Sequence, residues 1–594
     1  MTIELSKKEI KELYKLREKI HKMGPLSTLQ DLFNRSEAFG DRVAVVEKVK
    51  KQPVSYTVKE FHDKVREVGT ALYELGLAGK HIAIVSENSY DWIVAFFAIV
   101  CTKSVAVPVD KELPDKDISM LITKGDAEAV FHSRTYKETA ELHLKNDERC
   151  KYAFITTPGC KAEGGKHLSI NALADMGREL LKNGDTRFAD TKIEKDDLAA
   201  IVFTSGTTGT NKGVMLTHYN FSSNCEGVLD FVGSELSTMS ILPMNHVYEL
   251  SCSVLTAIYM NGIIYINDSL KNILPNINEF KPHAMAVVPL VLEAIYNGIW
   301  SKAEASGKAP IMKKMIKISN KLLKVGIDIR PVVFKQVTDN FGGRFPTMSC
   351  GGAPARADHI KSLSEIGFNI ISGYGMTEAS PTVTLHNNGR IKPLSCGKAF
   401  PRAQFKIDNP DEEGIGEILL KGDNITKGYY KDPEATAASF TEDGWFRTGD
   451  IGTCDKNNCY RITGRCKNVI VTRNGKNIFP EEVEIYINSS PAIAESIVFG
   501  DDTGEETLVS AAVYPDIEAL QSILNREEIT KDDIKKAVSQ AVKEANRKLP
   551  NYKKIRSYYI SDEEFIKTTT KKIKRQVNID KIKQDAKNKI NTEE

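Results

Sequence analysis

The stretch Thr204-Ser-Gly-Thr-Thr-Gly-Thr-Asn-Lys-Gly213 follows directly on an apolar run, Leu198-Ala-Ala-Ile-Val-Phe203. The apolar run is typical of a buried strand. The stretch after it is rich in glycine and in hydroxyl residues, which makes a poor helix or strand. Glycine lets backbone N–H groups turn towards an anion, the hydroxyl groups add donors, and Lys212 adds a positive charge for phosphate oxygens. The pattern therefore predicts a phosphate-binding loop.

This loop differs from a Walker A loop, in which the lysine follows a glycine and precedes a serine or threonine that binds Mg²⁺. Here Asn211 precedes Lys212, and Gly213 follows it. A metal ligand must therefore come from another segment. The alternative interpretation is a flexible Ser/Thr/Gly linker, which is disfavoured because a linker would not directly follow a buried strand with a lysine in its turn.

Length and composition indicate a soluble protein of more than one domain. The chain has 594 residues, of which 41% are hydrophobic and 27% are charged, and this length exceeds what a single core supports. The net charge of +2 argues against a general nucleic-acid binder. The ten cysteines include no CxxC pair, and the charged N-terminus carries no secretory signal. The sequence therefore predicts a reduced, cytoplasmic protein.

Strand and helix patterns alternate near the start of the chain. Residues 43–46, 82–85 and 105–109 have the apolar, β-branched composition of strands, and residues 92–100 form an apolar run of helical length. This alternation predicts an α/β domain with a largely parallel sheet.

The N-terminal segment is predicted to form an amphipathic helix. It places Ile10, Leu13, Leu16 and Ile20 near one helical face, with lysine and glutamate elsewhere. The favoured interpretation is a helix packed on the main domain. Peripheral contact of this helix, or of the basic C-terminus, with the inner face of a membrane remains an open alternative.

A second polar segment is Ile371-Ser-Gly-Tyr-Gly-Met-Thr-Glu378. Tyr374 stands between glycines and can offer its ring to an adenine, while Thr377 can donate to an α-phosphate. Glu378 supplies the carboxylate that the first loop lacks, and magnesium prefers such oxygen ligands. The alternative, a buried tyrosine followed by a surface glutamate, does not explain the Gly–Tyr–Gly spacing.

Two further segments suit a nucleotide. In Met348-Ser-Cys-Gly-Gly-Ala-Pro354, two glycines at a strand end allow a flat base to approach the backbone, although an ordinary strand-to-helix turn has the same composition. In Gly444-Trp-Phe-Arg-Thr-Gly-Asp450, the carboxylate of Asp450 can accept hydrogen bonds from both ribose hydroxyls. Arg465 follows closely and can reach the ribose or a phosphate.

These segments occur in the order found in the adenylate-forming superfamily of acyl-CoA synthetases, adenylation domains and firefly-type luciferases. The chain resembles the long-chain fatty acid–CoA ligases most, and the resemblance covers nearly its whole length. It implies a large α/β N-terminal domain with mostly parallel sheets, residues 1–466, which binds AMP and the acyl group. It also implies a small, mobile α+β domain, residues 467–594, which turns about Lys467.

The resemblance also assigns roles to single residues. His246 would line the place where the acyl group meets the pantetheine thiol, although a histidine alone is more often structural. Gly475 would approach the pantetheine. Lys572 would be the catalytic lysine. Lys571 is the alternative, because relatives usually have a glycine directly before the catalytic lysine, and here Lys571 occupies that position. The implied catalytic residues are Lys212, His246, Thr377 and Lys572, and Glu378 is the implied metal ligand. The implied nucleotide-binding residues are Thr204, Ser205, Gly206, Thr207, Thr208, Gly209, Gly351, Gly352, Ala353, Tyr374, Gly375, Asp450 and Arg465.

The implied activity is the activation of a fatty acid with Mg-ATP to an acyl-adenylate, followed by transfer of the acyl group to coenzyme A. The implied partners are therefore a fatty acid, ATP, Mg²⁺ and coenzyme A, without nucleic acid. Two alternatives stay open: an acyl-AMP ligase that loads a carrier protein, and a non-catalytic acyl- or nucleotide-binding relative. The sequence does not indicate an oligomeric state.

Overall fold

The computed structural model describes residues 5–157, 160, 165–205, 211–233, 235–386, 395–471, 477–502, 507–568 and 572–592. The chain forms two compact units. The first unit comprises Met1–Phe405 and Leu420–Phe446, and the second comprises Lys406–Leu419 and Arg447–Glu594. The predicted fold class, a large α/β domain with mostly parallel sheets and a smaller α+β domain, is confirmed.

One sheet of the first unit contains, second from one end, the predicted strand that precedes the predicted phosphate loop. Neighbouring strands are parallel, except that the last strand returns antiparallel to the one before it. The predicted strands at residues 82–85 and 105–109 lie next to each other in its centre. In spatial order the strands are His167–Ser169, Tyr152–Ile155, Ala129–His132, His81–Val85, Val105–Pro108, Leu198–Ser205 and Asn211–Thr217.

A second sheet of this unit has a parallel centre with antiparallel strands at both ends. Because the central strands run in the same direction, their C-terminal ends meet at one edge, where ligands bind in open α/β sheets. In spatial order these strands are Gln52–Thr57, Val43–Val49, Ile263–Ile266, Ser237–Ser240, Ala284–Val287, Thr347–Cys350, Ile370–Gly375, Thr382–Leu385 and Gly397–Ala399. The strands that follow in the chain are Ala403–Asp408, Gly416–Gly422, Phe446–Cys454 and Cys459–Arg465.

The helix Tyr90–Val100 confirms the predicted buried helix, since all of its residues are buried. Its start is fixed by Ser89, whose hydroxyl accepts a hydrogen bond from the Trp92 N–H at 3.1 Å. The segment Leu250–Leu255 is a π-helix. The α-helices of this unit are Lys7–His21, Leu29–Ser36, Val58–Glu74, Tyr90–Val100, Asp115–Lys124, Lys137–Asn146, Ile170–Lys182, His218–Val232, Val247–Glu249, Thr256–Met260, Ile273–Phe280, Pro289–Ala305, Ala309–Leu323, Arg330–Val333, Lys335–Asp339, Ala357–Ile366 and Pro433–Ala438.

The N-terminal helix Lys7–His21 packs on the first unit, as the favoured interpretation predicts. Leu13 and Ile20 are buried in the same core as the helix Tyr90–Val100. Arg17 is also buried, and its Nε donates to the carbonyl oxygen of Met260 at 2.6 Å. A buried guanidinium that donates to backbone carbonyls fixes the helix in place, because leaving it unpaired would be costly.

The second unit contains a small sheet and a short hairpin. The sheet has Thr507–Pro515 in its centre, antiparallel to Ile493–Asp502 and parallel to Ser557–Ile560. The strands Ile470–Val471 and Asn477–Ile478 form the hairpin, while its turn, with Gly475, lies outside the described residues. The helices of this unit are Pro480–Ile487, Ile517–Leu524, Lys531–Lys548 and Arg575–Thr592.

No helix among the described residues is both long and apolar enough to span a bilayer. The ten cysteines are all unpaired, which agrees with the absence of a disulfide pattern in the sequence.

Candidate active site

The strands on either side of the predicted phosphate loop pair with each other. Ser205 pairs with Asn211, and Thr204 pairs with Lys212, across the strands Leu198–Ser205 and Asn211–Thr217. The expectation that the whole stretch makes a poor strand is wrong at its two ends, because cross-strand hydrogen bonds hold them extended. The predicted loop residues Gly206, Thr207, Thr208 and Gly209 lie outside the described residues.

A distant segment pairs with the second strand of this hairpin. The N–H of Tyr430 donates to the carbonyl oxygen of Gly213 at 2.7 Å, and a β-bridge joins Val214 to Tyr429. This pairing places the Lys212 ammonium 4.7 Å from the centre of the Tyr429 ring. That distance is within the range of a cation–π interaction, which orients the lysine.

Tyr429 also contacts the predicted metal ligand. Its hydroxyl donates to Oε1 of Glu378 at 3.0 Å, and Glu378 lies in the short 3₁₀ helix Thr377–Ala379. Burial and the neighbouring Glu378 carboxylate raise the pKa of Tyr429, so the hydroxyl stays protonated and can donate. Tyr429 therefore links Lys212 and Glu378, which are far apart in the sequence.

The strand Ile370–Gly375 carries Tyr374 to the C-terminal edge of the second sheet, directly before Thr377. The Tyr374 N–H donates to the Thr384 hydroxyl at 3.1 Å. Packing also requires a glycine at position 375, because a Cβ atom there would lie 2.1 Å from the carbonyl oxygen of Pro381. A glycine predicted from ligand approach is thus required by the neighbouring strand as well.

The glycines after the strand Thr347–Cys350 lie at the same edge of the sheet. Gly352 has a φ of +84°, which favours glycine, and Ala353 is exposed. Gly351 lies against Tyr248, since a Cβ atom on it would be 3.1 Å from the Tyr248 ring.

Tyr248 ties the predicted acyl-site segment to this strand. Its hydroxyl donates to the carbonyl oxygen of Ser349 at 2.7 Å. His246, two residues earlier, is half-buried and precedes the short helix Val247–Glu249. Sequence reasoning singled out His246 and missed Tyr248, whose hydrogen bond joins this segment to the strand Thr347–Cys350.

A cavity of about 90 Å³ lies on one face of the second sheet. It begins near Tyr248 and Ser349 and extends past Ala286 and Ala284 towards the N-terminal ends of the strands. Its lining is mainly apolar and includes Val228, Leu229, Met260, Met285, Ile371 and Leu385.

The lining of the far end of the cavity includes a polar side chain. Glu235 and Gly262 line it, and Arg17 of the N-terminal helix donates to the carbonyl oxygen of Glu235 at 2.9 Å. Burial raises the pKa of Glu235. The cavity is therefore open to apolar groups along its length and bounded by a charged side chain at its end.

The predicted ribose-binding residues lie together in the second unit. Asp450 and Arg465 face each other on the strands Phe446–Cys454 and Cys459–Arg465, and Arg465 Nε is 2.8 Å from Asp450 Oδ1. The Asp450 side chain is buried, while Arg465 is half-exposed. The carboxylate is therefore held in one orientation by its partner.

Lys572 lies in the second unit, and its side chain is exposed. The Thr568 N–H donates to the Lys572 carbonyl oxygen at 2.8 Å. Three residues after Lys572, Arg575 forms an ion pair with the buried Glu484, with Nη1 3.0 Å from Oε2. Lys571 lies outside the described residues.

A sequence profile described as "AMP-binding enzyme" matches residues 32–430, and one described as "AMP-binding enzyme C-terminal domain" matches residues 467–591. The chain belongs to the AMP-binding enzyme family. The predicted superfamily and the prediction of an enzyme are confirmed by this match.

Relatives of this family member carry long-chain ligase names. Long-chain-fatty-acid–CoA ligase FadD15 of Mycobacterium bovis is 26% identical over 564 residues, covering 89% of this chain and 91% of that protein. Long-chain-fatty-acid–CoA ligase 1 of Cavia porcellus is 28% identical over 557 residues, covering 86% and 78%. Long-chain-fatty-acid–[acyl-carrier-protein] ligase AEE15 of Arabidopsis thaliana is 26% identical over 579 residues, covering 86% and 78%.

Solved structures share the fold. ATP-bound MatB from Rhodopseudomonas palustris superposes with a TM-score of 0.71 at 23% identity, covering 93% of this chain and 98% of that one. The anthranilate CoA ligase AuaEII, in complex with anthranoyl-AMP, superposes with a TM-score of 0.75 at 20% identity, covering 95% and 99%.

The two contacts of Tyr429 can be separated by substitution. Tyr429→Phe keeps the ring under Lys212, so we expect ATP affinity within about twofold of the wild type. Tyr429→Leu removes the ring, and a lost cation–π contact to the lysine proposed to bind the terminal phosphates should weaken ATP binding by roughly fivefold to tenfold. The measurement is calorimetric titration without a divalent cation. Tyr430→Phe, whose hydroxyl bonds Asp126, is the matched control. An equal loss in both Tyr429 variants would contradict the role of the ring.

Proposed function

We propose that the chain is an AMP-forming acyl-CoA synthetase that activates a long-chain fatty acid with ATP and transfers it to coenzyme A. The observation that carries the proposal is the cluster of Lys212, Tyr429 and Glu378 at the end of a strand that also lines the apolar cavity. Ile371 of that strand lines the cavity, and Glu378 follows the same strand. The family match and the long-chain ligase names of the relatives support this reading.

The proposed reaction has two steps. First, a carboxylate oxygen of the fatty acid attacks the α-phosphorus of ATP, the bond to pyrophosphate breaks, and acyl-AMP forms. Then the thiol of coenzyme A loses its proton, its sulfur attacks the acyl carbon, and AMP leaves. Phosphoryl transfer depends mainly on positioning and on stabilising charge, which suits a site made of donors and a lysine.

The first unit would supply most groups that bind the nucleotide. We propose that Lys212, with Thr204, Ser205 and the loop residues after them, binds the terminal phosphates. Thr377 would donate to the α-phosphate. The backbone at Gly351, Gly352 and Ala353, together with Tyr374 and Gly375, would bind the adenine, and His246 would lie where the acyl group meets the thiol.

Glu378 suits a magnesium ion that is bound together with ATP. Magnesium in nucleotide enzymes is often held by one or two carboxylates plus substrate phosphates. The described residues contain no cluster of three or more His, Cys, Asp or Glu side chains, so a dedicated protein cage is absent there and one carboxylate fits this mode. When bound, the ion would neutralise phosphate charge, while Tyr429 keeps the Glu378 side chain oriented through its hydrogen bond.

The second unit would supply groups for both steps. We propose that Asp450 and Arg465 bind the ribose, that Lys572 serves the first step and that Gly475 approaches the pantetheine in the second. Lys467 is the proposed pivot between these roles. The ion pair of Arg575 with Glu484 holds the backbone near Lys572 in place. This supports the assignment of Lys572, because a catalytic group must be held in a fixed position.

The acceptor and the acid can be tested directly. Purified protein with ATP and Mg²⁺ should release pyrophosphate with palmitate, and should form a thioester with coenzyme A faster than with a holo-carrier protein. Acetate and benzoate serve as comparison acids. Faster loading of the carrier would favour the acyl-AMP ligase, whose name one relative carries. Absence of pyrophosphate release with every acid would contradict the proposed activity.

Lys572 should act in the first step alone. Negative charge shifts onto the α-phosphate and the departing pyrophosphate as the carboxylate attacks, and removing a group that stabilises it costs about 10²–10³ in rate. Lys572→Ala should therefore slow acyl-AMP formation from palmitate and ATP by this factor. Thioester formation from synthetic palmitoyl-AMP and coenzyme A should change little.

Lys571→Ala is the matched control for this assignment, and it should affect both steps weakly. If Lys571→Ala shows the selective defect, the catalytic lysine is Lys571. If neither variant separates the two steps, the proposed division of work between them is wrong.

The depth of the cavity should limit the chain length of the fatty acid that the protein activates. Ala284 and Ala286 lie on the same face of the strand Ala284–Val287, about 6–7 Å apart along it. Ala284→Phe fills the deep end, so palmitate turnover should fall by roughly tenfold or more while octanoate turnover is kept. Ala286→Phe blocks the chain nearer Tyr248, so both acids should lose turnover. Acetate turnover and the thermal midpoint report whether the variants fold. Equal effects of both variants on palmitate and octanoate would place the acyl chain elsewhere.

A further inference from the structure

The helix Ala309–Leu323 has an outward face that the proposed chemistry does not use. From Lys308 to Lys324 the sequence contains six lysines and no acidic residue, although the whole chain has a net charge of only +2. This segment is therefore a local concentration of positive charge in a nearly neutral protein.

The opposite face of this helix is fixed in the core of the first unit. Met312 and Ile316 are buried and belong to the same apolar cluster as Phe334. These side chains hold the helix against the helices Pro289–Ala305 and Ala357–Ile366. The apolar residues on its outward face therefore do not take part in this core.

Those remaining apolar residues point to solvent. Ile311 is 63% exposed and Ile318 is 37% exposed. In the segment after the helix, Val325, Ile327 and Val332 are 71%, 52% and 78% exposed. Single exposed aliphatic residues are ordinary, but five of them on one helix and its following segment need an explanation.

The lysines alternate with these apolar residues on the same face. Positions 311, 314, 318 and 321 follow the helical spacing of three and four residues. Within the part of the chain that the structure describes, Lys314, Lys317, Lys321 and Lys324 form no ion pair, whereas Lys335 nearby pairs with Asp339 at 2.7 Å. The positive charge of this face is therefore not neutralised by its own neighbours.

We propose that this face, Ile311 to Val332, docks the protein on the anionic surface of a lipid bilayer. Interfacial helices combine these two features, since aliphatic side chains enter the boundary of headgroups and acyl chains while lysines extend to the phosphates. An acidic protein would satisfy the lysines but would need a matching apolar groove for five aliphatic side chains. A bilayer needs no such complementary shape.

The N-terminal helix fits this role less well. Its apolar residues Leu13 and Ile20 are buried in the protein, and its lysines are interspersed with Glu9, Glu12 and Glu18. The membrane contact considered for that helix from its sequence is therefore better assigned to the helix Ala309–Leu323.

Docking at this face would bring the enzyme to fatty acids dissolved in the membrane, a consequence that rests on the proposed function. The docking itself does not rest on it, because vesicle binding is measured without ATP, acid or coenzyme A. The two proposals can therefore fail separately.

The test is co-sedimentation of the full chain with vesicles of phosphatidylcholine, with and without phosphatidylglycerol. We expect binding that requires phosphatidylglycerol and weakens as salt is added. A triple variant, Lys314→Glu with Lys317→Glu and Lys321→Glu, should lower the partition coefficient by roughly 100-fold or more, since each basic residue contributes about fivefold. Ile311→Ser with Ile318→Ser should also weaken binding without changing the charge.

The matched control is Lys8→Glu with Lys11→Glu and Lys15→Glu in the N-terminal helix, where all three lysines are exposed. It changes the net charge by the same amount and should keep vesicle binding. Equal loss in both triple variants would overturn the proposal, because binding would then follow net charge alone. The proposal would also be overturned if the wild type did not bind phosphatidylglycerol vesicles. The same holds if an acidic carrier protein bound this face and vesicles did not. Octanoate turnover without vesicles should be the same in all variants and tests the proposed function independently.

Discussion

The candidate site depends on one long-range pairing of backbone. The segment around Tyr429 lies against the strand Asn211–Thr217, where the Met215 N–H donates to the Gly428 carbonyl oxygen at 3.0 Å. These hydrogen bonds set where the two charged groups stand. A tyrosine in this position holds a cation by its ring and a carboxylate by its hydroxyl. The lysine and the carboxylate are thereby oriented before any substrate arrives, which is how preorganised sites avoid reorganisation during reaction.

The second unit orients its polar groups by a different means. It uses ion pairs in which one side chain is more buried than the other. Asp450 is buried against the half-exposed Arg465, and the buried Glu484 holds Arg575. In each pair, removing one partner would leave a buried charge uncompensated, so neither side chain can turn away cheaply. The second pair thus holds the backbone near Lys572 in place, while the Lys572 side chain is exposed.

Local patterns in the sequence were sufficient for the strands and for the buried helix Tyr90–Val100, because each rests on residues close in the chain. Glu378 and Asp450 were singled out in the same way, from glycine-rich segments, and their roles stay predictions. Tyr429 was missed because its role comes from a partner strand far away in sequence, and only the aromatic pair after Gly428 hints at it. The hairpin at Lys212 was also hidden, because glycine and threonine content does not reveal cross-strand pairing.

The periodicity of apolar residues predicts a helix but not what its apolar face contacts, as the helices Lys7–His21 and Ala309–Leu323 illustrate. Both alternate apolar and basic residues, so the pattern alone predicts an amphipathic helix in each case. Packing then separates them, since the first buries its apolar stripe whereas the second buries Met312 and Ile316 and still exposes Ile311 and Ile318. An apolar residue left outside a helix that is already anchored has no partner in its own core. Its presence beside unpaired lysines is therefore evidence about what lies outside the protein, and an anionic bilayer satisfies both kinds of side chain at once.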